Sequence, residues 1–304
     1  MRQALVVGYG SIGKRHCTLL EELGLSVSVV SRRECEERKH FYNLLEAIEQ
    51  CQPDYIVIAN ETSLHFDSLR HIDQFGFKNK VLIEKPVFST IENVVLEHVS
   101  KVCVAYNLRF HPIIDRLRKA LEGQDIISAQ VYCGQYLPDW RPSTDYKESY
   151  SADKTRGGGV LRDLSHELDY ILWLFGRWKK VAATGGHFSS LHISSDDCWS
   201  VLMETERCRT LTLQLNYLDR PGQRKIVVNT DEHTFCADLM MGTFTCDGRI
   251  ENFELDGNKT YMDQHCAFLT DNYDRLCSLS EGAEVLNLIQ AVEKASCEKS
   301  WILS

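Results

Sequence analysis

Apolar residues in the first third of the chain fall in short continuous runs, and the segments between these runs have the periodicity of amphipathic helices. Continuous apolar runs are typical of strands that are buried on both faces of a sheet. The predicted strands are residues 5–7, 26–30, 55–59, 81–83 and 102–106. The predicted helices are residues 11–23, 44–50, 65–75 and 91–99. This regular alternation of strand and helix predicts a doubly wound parallel sheet.

The remainder of the chain consists mainly of predicted strands separated by turn signals such as Pro221-Gly222 and Asp247-Gly248. These strands are residues 126–136, 181–188, 198–204, 210–217, 225–230 and 233–238, with short runs near Thr243 and Ile250. The predicted helices are residues 160–175, 262–279 and 283–298. Closely spaced strands with tight turns indicate an antiparallel sheet. A chain of 304 residues accommodates two domains, which we place at residues 1–118 and 119–304.

A glycine-rich motif with the spacing G-x-G-x-x-G connects the first predicted strand to the first predicted helix, and it reads Gly8-Tyr9-Gly10-Ser11-Ile12-Gly13. The first glycine allows a tight turn, the second leaves room for a pyrophosphate, and the third lets helix and strand pack closely. The helix directs its free N–H groups and the positive end of its dipole to the same place. The motif therefore predicts a dinucleotide site lined by these six residues, although a glycine-rich turn without a ligand has the same spacing.

Further cofactor contacts are predicted at the carboxyl ends of the next strands. The second strand is followed by Ser31, Arg32 and Arg33, at a position where NAD-specific sites carry Asp or Glu. Because a hydroxyl and two guanidiniums suit a 2′-phosphate, we favour NADP over NAD. Arginines that merely open a solvated helix would leave the choice of cofactor open. The candidates after the strand at residues 55–59 are Asn60, Thr62 and His65.

The tripeptide Glu84-Lys85-Pro86 ends an apolar strand at the edge of the sheet where such folds bind ligands. An isolated lysine is usually a solvated surface group, but this one is fixed by the following proline. An ammonium at this place can donate to a substrate hydroxyl or carbonyl oxygen, and partial burial would lower its pKa. We therefore predict a catalytic role for Lys85 and a place for both Glu84 and Lys85 at the cofactor.

The predicted helix at residues 160–175 follows three consecutive glycines and carries Asp163, His166 and Tyr170 on one face. Hydride transfer from an alcohol needs a base for the hydroxyl proton, and a histidine titrates near neutral pH. Asp163 would either orient His166 or bind a neighbouring substrate hydroxyl. A solvated Asp–His pair on a helix surface is the alternative interpretation.

The segment between residues 137 and 156 is too long for a simple turn, and loops of this length are usually functional or disordered. Its aromatic and basic side chains suit the face of a sugar and an anionic group. A lid or an oligomer contact explains the same composition. The candidate substrate-binding residues here are Tyr136, Trp140 and Tyr146.

Composition restricts the possible partners. The net charge of -9 argues against a nucleic-acid or anionic-membrane partner, because phosphate groups attract basic surfaces. No apolar run reaches membrane-spanning length and the start lacks a signal-peptide layout, so we expect a cytoplasmic protein. The twelve cysteines are scattered without a C-x-x-C pair, and we interpret them as reduced core residues and expect no bound metal.

Four motifs together resemble the Gfo/Idh/MocA oxidoreductases, the family of glucose-fructose oxidoreductase and inositol dehydrogenase. They are the glycine motif, Glu84-Lys85-Pro86, YNLRFHP at residues 106–112 and GGGVLRDLSHELD at residues 157–169. The resemblance implies an α/β protein with an N-terminal Rossmann domain and a C-terminal α+β domain built on a large, mostly antiparallel open sheet. It also implies NAD(P)-linked hydride transfer on sugars, cyclitols or related polyols, a cis bond before Pro86, and a homo-oligomer, dimer or tetramer, formed through the C-terminal sheet.

On this resemblance, Lys85 hydrogen-bonds the reacting oxygen, His166 exchanges the proton, and Asp163, Asn107 and Arg109 position the substrate, with Asn107 also near the cofactor. Many family members place the aspartate four residues before the histidine, whereas here the spacing is three. The expected substrate is a sugar, amino sugar, nucleotide sugar or cyclitol. Two other functions stay open, namely a regulatory protein that binds dinucleotide and sugar without reaction, and a lyase or glycosidase with transient oxidation.

Overall fold

The structure is a computed structural model, and it describes residues 2–140 and 145–304. The chain forms two compact units. One consists of Met1–Phe110 and Asp256–Leu286, and the other of His111–Leu255 and Asn287–Ser304. Each unit contains one of the two sheets.

The first 110 residues alternate strands with helices, as the hydrophobic pattern predicts. The strands are β1 (Gln3–Val7), β2 (Ser26–Val30), β3 (Lys39–Phe41), β4 (Tyr55–Ile58), β5 (Lys80–Ile83) and β6 (Lys101–Val104). The helices are α1 (Ser11–Glu22), α2 (Leu44–Cys51) and α3 (His65–Gln74), with short 3₁₀ turns at Thr62–Leu64 and Asn107–Phe110.

Residues 111–255 contain three helices and eight strands among the described residues. The helices are α4 (Pro112–Ala120), α5 (Val160–Asp163) and α6 (Ser165–Phe175). The strands are β7 (Ile126–Gly134), β8 (Trp178–Gly186), β9 (Cys198–Thr205), β10 (Thr210–Asn216), β11 (Gln223–Thr230), β12 (Thr234–Asp238), β13 (Thr243–Cys246) and β14 (Arg249–Asn252). Short 3₁₀ turns occupy Leu137–Asp139, Tyr146–Glu148, Tyr150–Ala152 and Lys154–Arg156.

The last part of the chain contributes to both units. Its elements are α7 (Lys259–Leu269), β15 (Cys277–Ser278), α8 (Leu279–Glu298) and β16 (Ile302–Leu303). Within the ranges that the structure describes, none of these or the earlier helices is both long and apolar enough to cross a membrane.

The sheet of the first unit has seven strands in the order β15-β6-β5-β4-β1-β2-β3. Strands β1 to β6 are parallel, and only β15 pairs antiparallel, at the β6 edge. The strand order reverses beside β1, which pairs with β2 on one side and with β4 on the other. Ligands of open parallel sheets bind outside the carboxyl ends of the strands at such a reversal, and the glycine motif follows β1 there.

The sheet of the second unit has nine strands in the order β14-β13-β12-β11-β7-β10-β9-β8-β16. Its neighbours pair antiparallel except for β7 and β10, which are parallel. The predicted large and mostly antiparallel sheet is therefore confirmed, as is the parallel N-terminal sheet.

The predicted helix at residues 91–99 is wrong, because this segment has no regular structure. The Asp73 carboxylate, at the end of α3, accepts the backbone N–H groups of Glu97, His98 and Val99 at 2.9–3.0 Å. The segment also has no buried side chain, so it lacks the apolar face that normally stabilises a helix. A distant carboxylate thus satisfies donors that the helix would have used.

Two further predicted helices are interrupted. The helix at residues 160–175 breaks at Leu164 into α5 and α6, and the helix at residues 262–279 ends at Leu269, before β15. The division into units also differs from the expected single boundary after residue 118, which falls inside α4. Residues 256–286 return to the first unit because α7 packs on α1 and β15 extends the edge at β6.

Candidate functional site

The glycine turn after β1 is fixed by close backbone packing at two of its three glycines. Gly8 has a φ of +107°, and a Cβ there would lie 2.5 Å from the Ala59 carbonyl oxygen. A Cβ on Gly13 would lie 2.2 Å from the carbonyl oxygen of Gly8. The fold itself therefore requires glycine at both positions.

Gly10 is different, because a Cβ added there would meet nothing within 4 Å. It is the N-cap of α1, which has no side-chain cap and no acidic residue in its first turn. The first N–H groups of α1, from exposed Ser11 and half-buried Ile12 onward, are thus available to an anion. The open space and the uncapped helix start fit the pyrophosphate of a dinucleotide.

Tyr9 forms the wall beside this turn. Arg38 Nη1 donates to the Tyr9 hydroxyl at 2.8 Å, and the same guanidinium is held by Glu21 in two contacts of 2.6 and 2.7 Å. A hydrogen bond with Cys35, together with burial, raises the pKa of Tyr9 to about 12. The phenol therefore stays neutral near the cofactor position.

The segment after β2 exposes two arginines. Ser31 Oγ accepts the backbone N–H of Arg33 at 2.9 Å, which shapes a tight turn. Arg32 and Arg33 are exposed, and neither forms an ion pair with any of the described residues. Their guanidiniums are thus free to bind an anion, as the sequence predicts for a 2′-phosphate.

Asn60 and Thr62 follow β4, and one of them has a polar atom without a partner in the part of the chain that the structure describes. Asn60 Nδ2 donates to Ser68 Oγ at 3.0 Å, whereas its buried Oδ1 has no hydrogen-bond partner in the described residues. Half-buried Thr62 opens the 3₁₀ turn before α3. Asn60 thus keeps an unused acceptor at the carboxyl end of β4.

His65 is buried beside this turn. Its ring is 1% exposed, with Nδ1 3.1 Å from the Val87 carbonyl oxygen and Nε2 3.3 Å from that of Asn60. Burial lowers the pKa of His65. The ring links the ends of β4 and β5 from inside the unit, and its contact with the cofactor stays a prediction.

The Lys85–Pro86 peptide bond is cis, as expected from the resemblance. Lys85 is half-buried at the carboxyl end of β5. Its neighbour Glu84 is 8% exposed, accepts the backbone N–H of Lys85 at Oε2 (3.1 Å) and has its Oε1 2.8 Å from His16 Nε2. The carboxylate therefore has partners inside the unit, and its contact with the cofactor stays a prediction.

Asn107 and Arg109 follow β6 and have interior partners. Asn107 Nδ2 donates to Thr260 Oγ1 on α7 at 2.7 Å. Arg109, 2% exposed, donates from Nη1 to Glu281 Oε1 at 2.8 Å. The guanidinium is thus enclosed and paired, and the substrate contact of Arg109 stays a prediction.

In the second unit, the Asp163 carboxylate is held by two phenols. Tyr150 Oη donates to Oδ1 and Tyr217 Oη donates to Oδ2, each at 2.6 Å, and Asp163 is buried. Burial and the neighbouring Asp163 raise the pKa of Tyr217 well above its usual value. His166 is half-buried in the first turn of α6, just after the break at Leu164.

The three aromatic residues that the sequence predicts at the substrate differ in what they contact. Trp140 packs edge-on against Tyr217, with ring centroids 5.2 Å apart, so it belongs to the same cluster as Asp163. Tyr136 lies under the Arg220 guanidinium at 3.9 Å, and Tyr146 Oη accepts the backbone N–H of His192 at 3.4 Å. Residues 141–144 of the predicted substrate loop lie outside the described residues.

The sequence analysis missed three buried residues and two phenols that the structure places at these groups. They are His16, Tyr55, His265, Tyr150 and Tyr217. His16 carries a weak signal, since it lies three residues after Gly13 on the face of α1 that packs on the sheet. The others are brought in by long-range packing.

One group in the described residues has the composition of a metal site. Ligand atoms of His233, Cys246 and Asp247 lie within 4.8 Å of one another near a hairpin turn. The Asp247 carboxylate already contacts His233 Nδ1 at 2.7 Å and accepts the Thr234 N–H at 2.9 Å. These hydrogen bonds account for the arrangement.

The comparisons with known proteins agree for both parts of the chain. The family described as "Oxidoreductase family, NAD-binding Rossmann fold" matches residues 2–110, and "GFO/IDH/MocA C-terminal domain" matches residues 115–236. An uncharacterized oxidoreductase of Synechocystis sp. is 28% identical over 151 residues, which are 47% of this chain and 40% of that protein. The match therefore spans less than half the length of that relative.

Solved structures show the same fold over the full chain. Levoglucosan dehydrogenase in complex with NADH has a TM-score of 0.85 at 15% identity, covering 99% of this chain and 98% of that chain. The WlbA dehydrogenase from Bordetella pertussis in complex with NADH and UDP-GlcNAcA has a TM-score of 0.79 at 19% identity, covering 100% and 98%. Because the two family matches together cover most of the sequence, the chain belongs to the Gfo/Idh/MocA family of oxidoreductases, with an NAD-binding Rossmann fold at its N-terminus.

Proposed function

We propose that this protein is an NAD(P)-dependent dehydrogenase or reductase that acts on a CH–OH group of a sugar, amino sugar, nucleotide sugar or cyclitol. The observation that carries the proposal is the turn at Gly10, where open space meets the uncapped start of α1. Levoglucosan dehydrogenase and the WlbA dehydrogenase, which share the fold, are described with NADH, and the latter also with a nucleotide sugar. They support the class of substrate.

When bound, the nicotinamide cofactor supplies or accepts the hydride. Lys85 donates a hydrogen bond to the reacting oxygen, and His166 takes the hydroxyl proton during oxidation or returns it during reduction. Asp163 accepts a hydrogen bond from a phenol at each of its oxygens, so we assign it to substrate positioning through Tyr150 and Tyr217. Trp140 packs on Tyr217 and offers an aromatic face to a sugar ring.

The cofactor test uses two glycine variants. Gly10→Ala places a methyl group in space that is empty in the protein, and Gly257→Ala does the same at a distant exposed turn. We expect Gly10→Ala to weaken NADH or NADPH binding at least about tenfold, because the methyl group keeps the pyrophosphate from the backbone. Both variants should keep the thermal midpoint of the parent. Unchanged affinity in Gly10→Ala contradicts the proposed phosphate position.

We propose NADP as the favoured cofactor on the exposed pair Arg32 and Arg33. The double variant Arg32→Ser/Arg33→Ser should weaken NADPH binding by about tenfold or more, since each charged hydrogen bond contributes about 1.5–3 kcal/mol. NADH binding should change little. Equal affinities of the parent for the two cofactors, or equal losses in the variant, would show that the arginines do not select NADP.

Activity is tested with dialysed protein, each cofactor and a panel of sugars and cyclitols, followed by nicotinamide absorbance. Lys85→Ala and His166→Ala should each lower turnover by about 10²–10⁴-fold while cofactor binding persists. Full activity in the double variant overturns the assignment. Turnover without a net change in absorbance identifies a transient oxidation, as in a lyase or glycosidase, and binding without turnover identifies a sensor.

We also propose that the protein works in the cytoplasm as a homodimer or homotetramer formed through the nine-stranded sheet. All twelve cysteines are free thiols, which suits a reducing compartment. Ile127 and Leu202 are exposed on strands of this sheet, β7 and β9. Sedimentation equilibrium of the parent and of an Ile127→Lys/Leu202→Lys variant tests the assembly, and a monomeric parent refutes it.

A further inference from the structure

Four buried side chains of the first unit form an unbroken line of polar contacts that ends at Lys85. Tyr55 Oη lies 2.9 Å from His265 Nδ1, His265 Nε2 lies 2.8 Å from His16 Nδ1, and His16 Nε2 lies 2.8 Å from Glu84 Oε1. The side chains of Tyr55, His16 and His265 have no exposure to solvent. The line joins β4, α7, α1 and the end of β5.

Proton counting gives this line a direction. A buried hydroxyl needs an acceptor, and the contact of the Tyr55 hydroxyl in the described residues is His265 Nδ1. If Tyr55 donates, the single proton of neutral His265 is on Nε2 and is donated to His16 Nδ1. The single proton of neutral His16 is then on Nε2 and is donated to Glu84. Every donor is satisfied, and the carboxylate carries the only charge.

The opposite direction leaves a buried donor unsatisfied. If His265 Nδ1 carried the proton, it would donate to Tyr55, and the phenol proton would have no acceptor among the described residues. If both nitrogens of His16 were protonated, His265 Nε2 would have to accept the proton of His16 Nδ1. The proton of neutral His265 would then be on Nδ1, and the Tyr55 hydroxyl would again lack an acceptor among the residues described. A buried unsatisfied donor costs about 1–3 kcal/mol. Burial also lowers the pKa of His265 well below its usual value, so His265 is neutral.

The line reaches Lys85 through the second oxygen of Glu84. Oε2 accepts the Lys85 backbone N–H at 3.1 Å, while Oε1 faces His16. The carboxylate is therefore fixed at both oxygens, by an imidazole from α1 and by the main chain of the residue whose side chain is the proposed donor to substrate. Losing the imidazole contact frees the carboxylate to rotate away from the Lys85 amide.

We propose that Tyr55, His265 and His16 are positioning residues, which form a one-way chain of hydrogen bonds that orients Glu84 and through it the main chain of Lys85. The role of Lys85 toward substrate rests on the proposed function, but the chain of hydrogen bonds does not. The three residues touch neither cofactor nor substrate in this proposal. They act by fixing which imidazole nitrogen faces the carboxylate.

The direction is tested by NMR on protein with ¹⁵N-labelled histidine side chains, with assignment by His16→Gln and His265→Gln. Both histidines should be neutral at pH 7 with the proton on Nε2. An imidazolium at His16, or a proton on Nδ1 of either ring, overturns the one-way chain. This measurement needs no substrate, so its result is independent of the proposed function.

The positioning role is tested by His16→Leu, which removes the donor to Glu84, and His16→Gln, whose amide N–H can replace it. The Lys85 amide proton resonance should shift in His16→Leu and move back toward the parent position in His16→Gln. If a substrate is found, kcat should fall about tenfold in His16→Leu and recover in His16→Gln, with the cofactor Kd unchanged. Equal effects of both substitutions refute the proposal.

A matched control separates positioning from loss of stability. Phe268→Leu removes a buried ring that packs edge-on against Tyr55 at 5.5 Å but has no part in the hydrogen bonds. It should lower the thermal midpoint while the histidine protons, the Lys85 amide resonance and turnover per folded molecule stay as in the parent. A Lys85 resonance that shifts in Phe268→Leu as much as in His16→Leu shows that general loosening, not positioning, explains the effect.

Discussion

The stability of the second unit should decrease between pH 7 and pH 5 because of one histidine. His111 is the N-cap of α4, where its Nδ1 accepts the backbone N–H of Ile113 at 3.3 Å, and it is 8% exposed. Burial, assisted by the charge of Arg224, lowers the pKa of His111 to about 4. As the pH falls below 6.5 the unfolded chain takes up a proton that the folded chain does not, so acid favours unfolding.

The size of the effect follows from the two pKa values. A pKa of about 4 in the folded state and of about 6.5 in the unfolded state corresponds to about 3 kcal/mol when the pH is below both. Between pH 7 and pH 5 about 2 kcal/mol of this is lost. Carboxylates with lowered pKa, such as Asp73, lose their contribution to the free energy of unfolding only at a pH below this interval. The histidine effect and the carboxylate effect therefore occur in separate pH ranges.

The assay is urea unfolding at pH 7 and pH 5, followed by tryptophan fluorescence. All five tryptophans are at positions 140, 173, 178, 199 and 301, so the signal reports the unit that contains His111. His111→Asn is the matched variant, because asparagine is a good N-cap that accepts the same N–H but does not titrate. We expect the parent to lose about 2 kcal/mol more than His111→Asn between the two pH values. Equal losses in the two proteins would refute the argument.

Three further changes have expected outcomes. Gly8→Ala should prevent stable folding of the first unit, seen as lost amide protection, because its Cβ meets backbone atoms at 2.5 Å. Glu281→Gln leaves Arg109 without its carboxylate and should cost about 2 kcal/mol in urea unfolding, less than a fully buried pair because Glu281 is half-exposed. Tyr217→Phe should cost about 2 kcal/mol by removing one of two phenols from Asp163, whereas Tyr146→Phe should cost little.

The elements of the first sheet could be predicted because each is encoded locally. The runs at residues 55–58 and 81–83 are continuous and apolar, and Gly24 and Gly76, both with positive φ, follow α1 and α3. The glycine motif was also predictable, since its spacing reflects backbone packing within a few residues. Prediction failed at residues 91–99, where the helical periodicity is real but the N–H groups are taken by Asp73 from a different element.

The roles of single polar residues were harder to predict, because their partners are far away in the sequence. Arg109 is a predicted substrate ligand, and nothing in the sequence indicates its partner Glu281, which is 172 residues later. Glu84 has the right place in its motif for a cofactor contact, yet it contacts His16, and His16 contacts His265, 249 residues away. Motif spacing shows which residues reach the edge of the sheet but not which way their side chains turn.

The spacing of Asp163 and His166 has a physical explanation in the break at Leu164. On one continuous helix, a separation of three or four residues would place both side chains on a common face. Here α5 ends at Asp163 and α6 begins at Ser165, so the common-face argument does not apply. Asp163 obtains its partners from Tyr150 and Tyr217 instead, and both phenol protons already lie on its oxygens. A carboxylate held by two phenols is suited to organising its surroundings, and the proposed function accordingly assigns the proton exchange to His166.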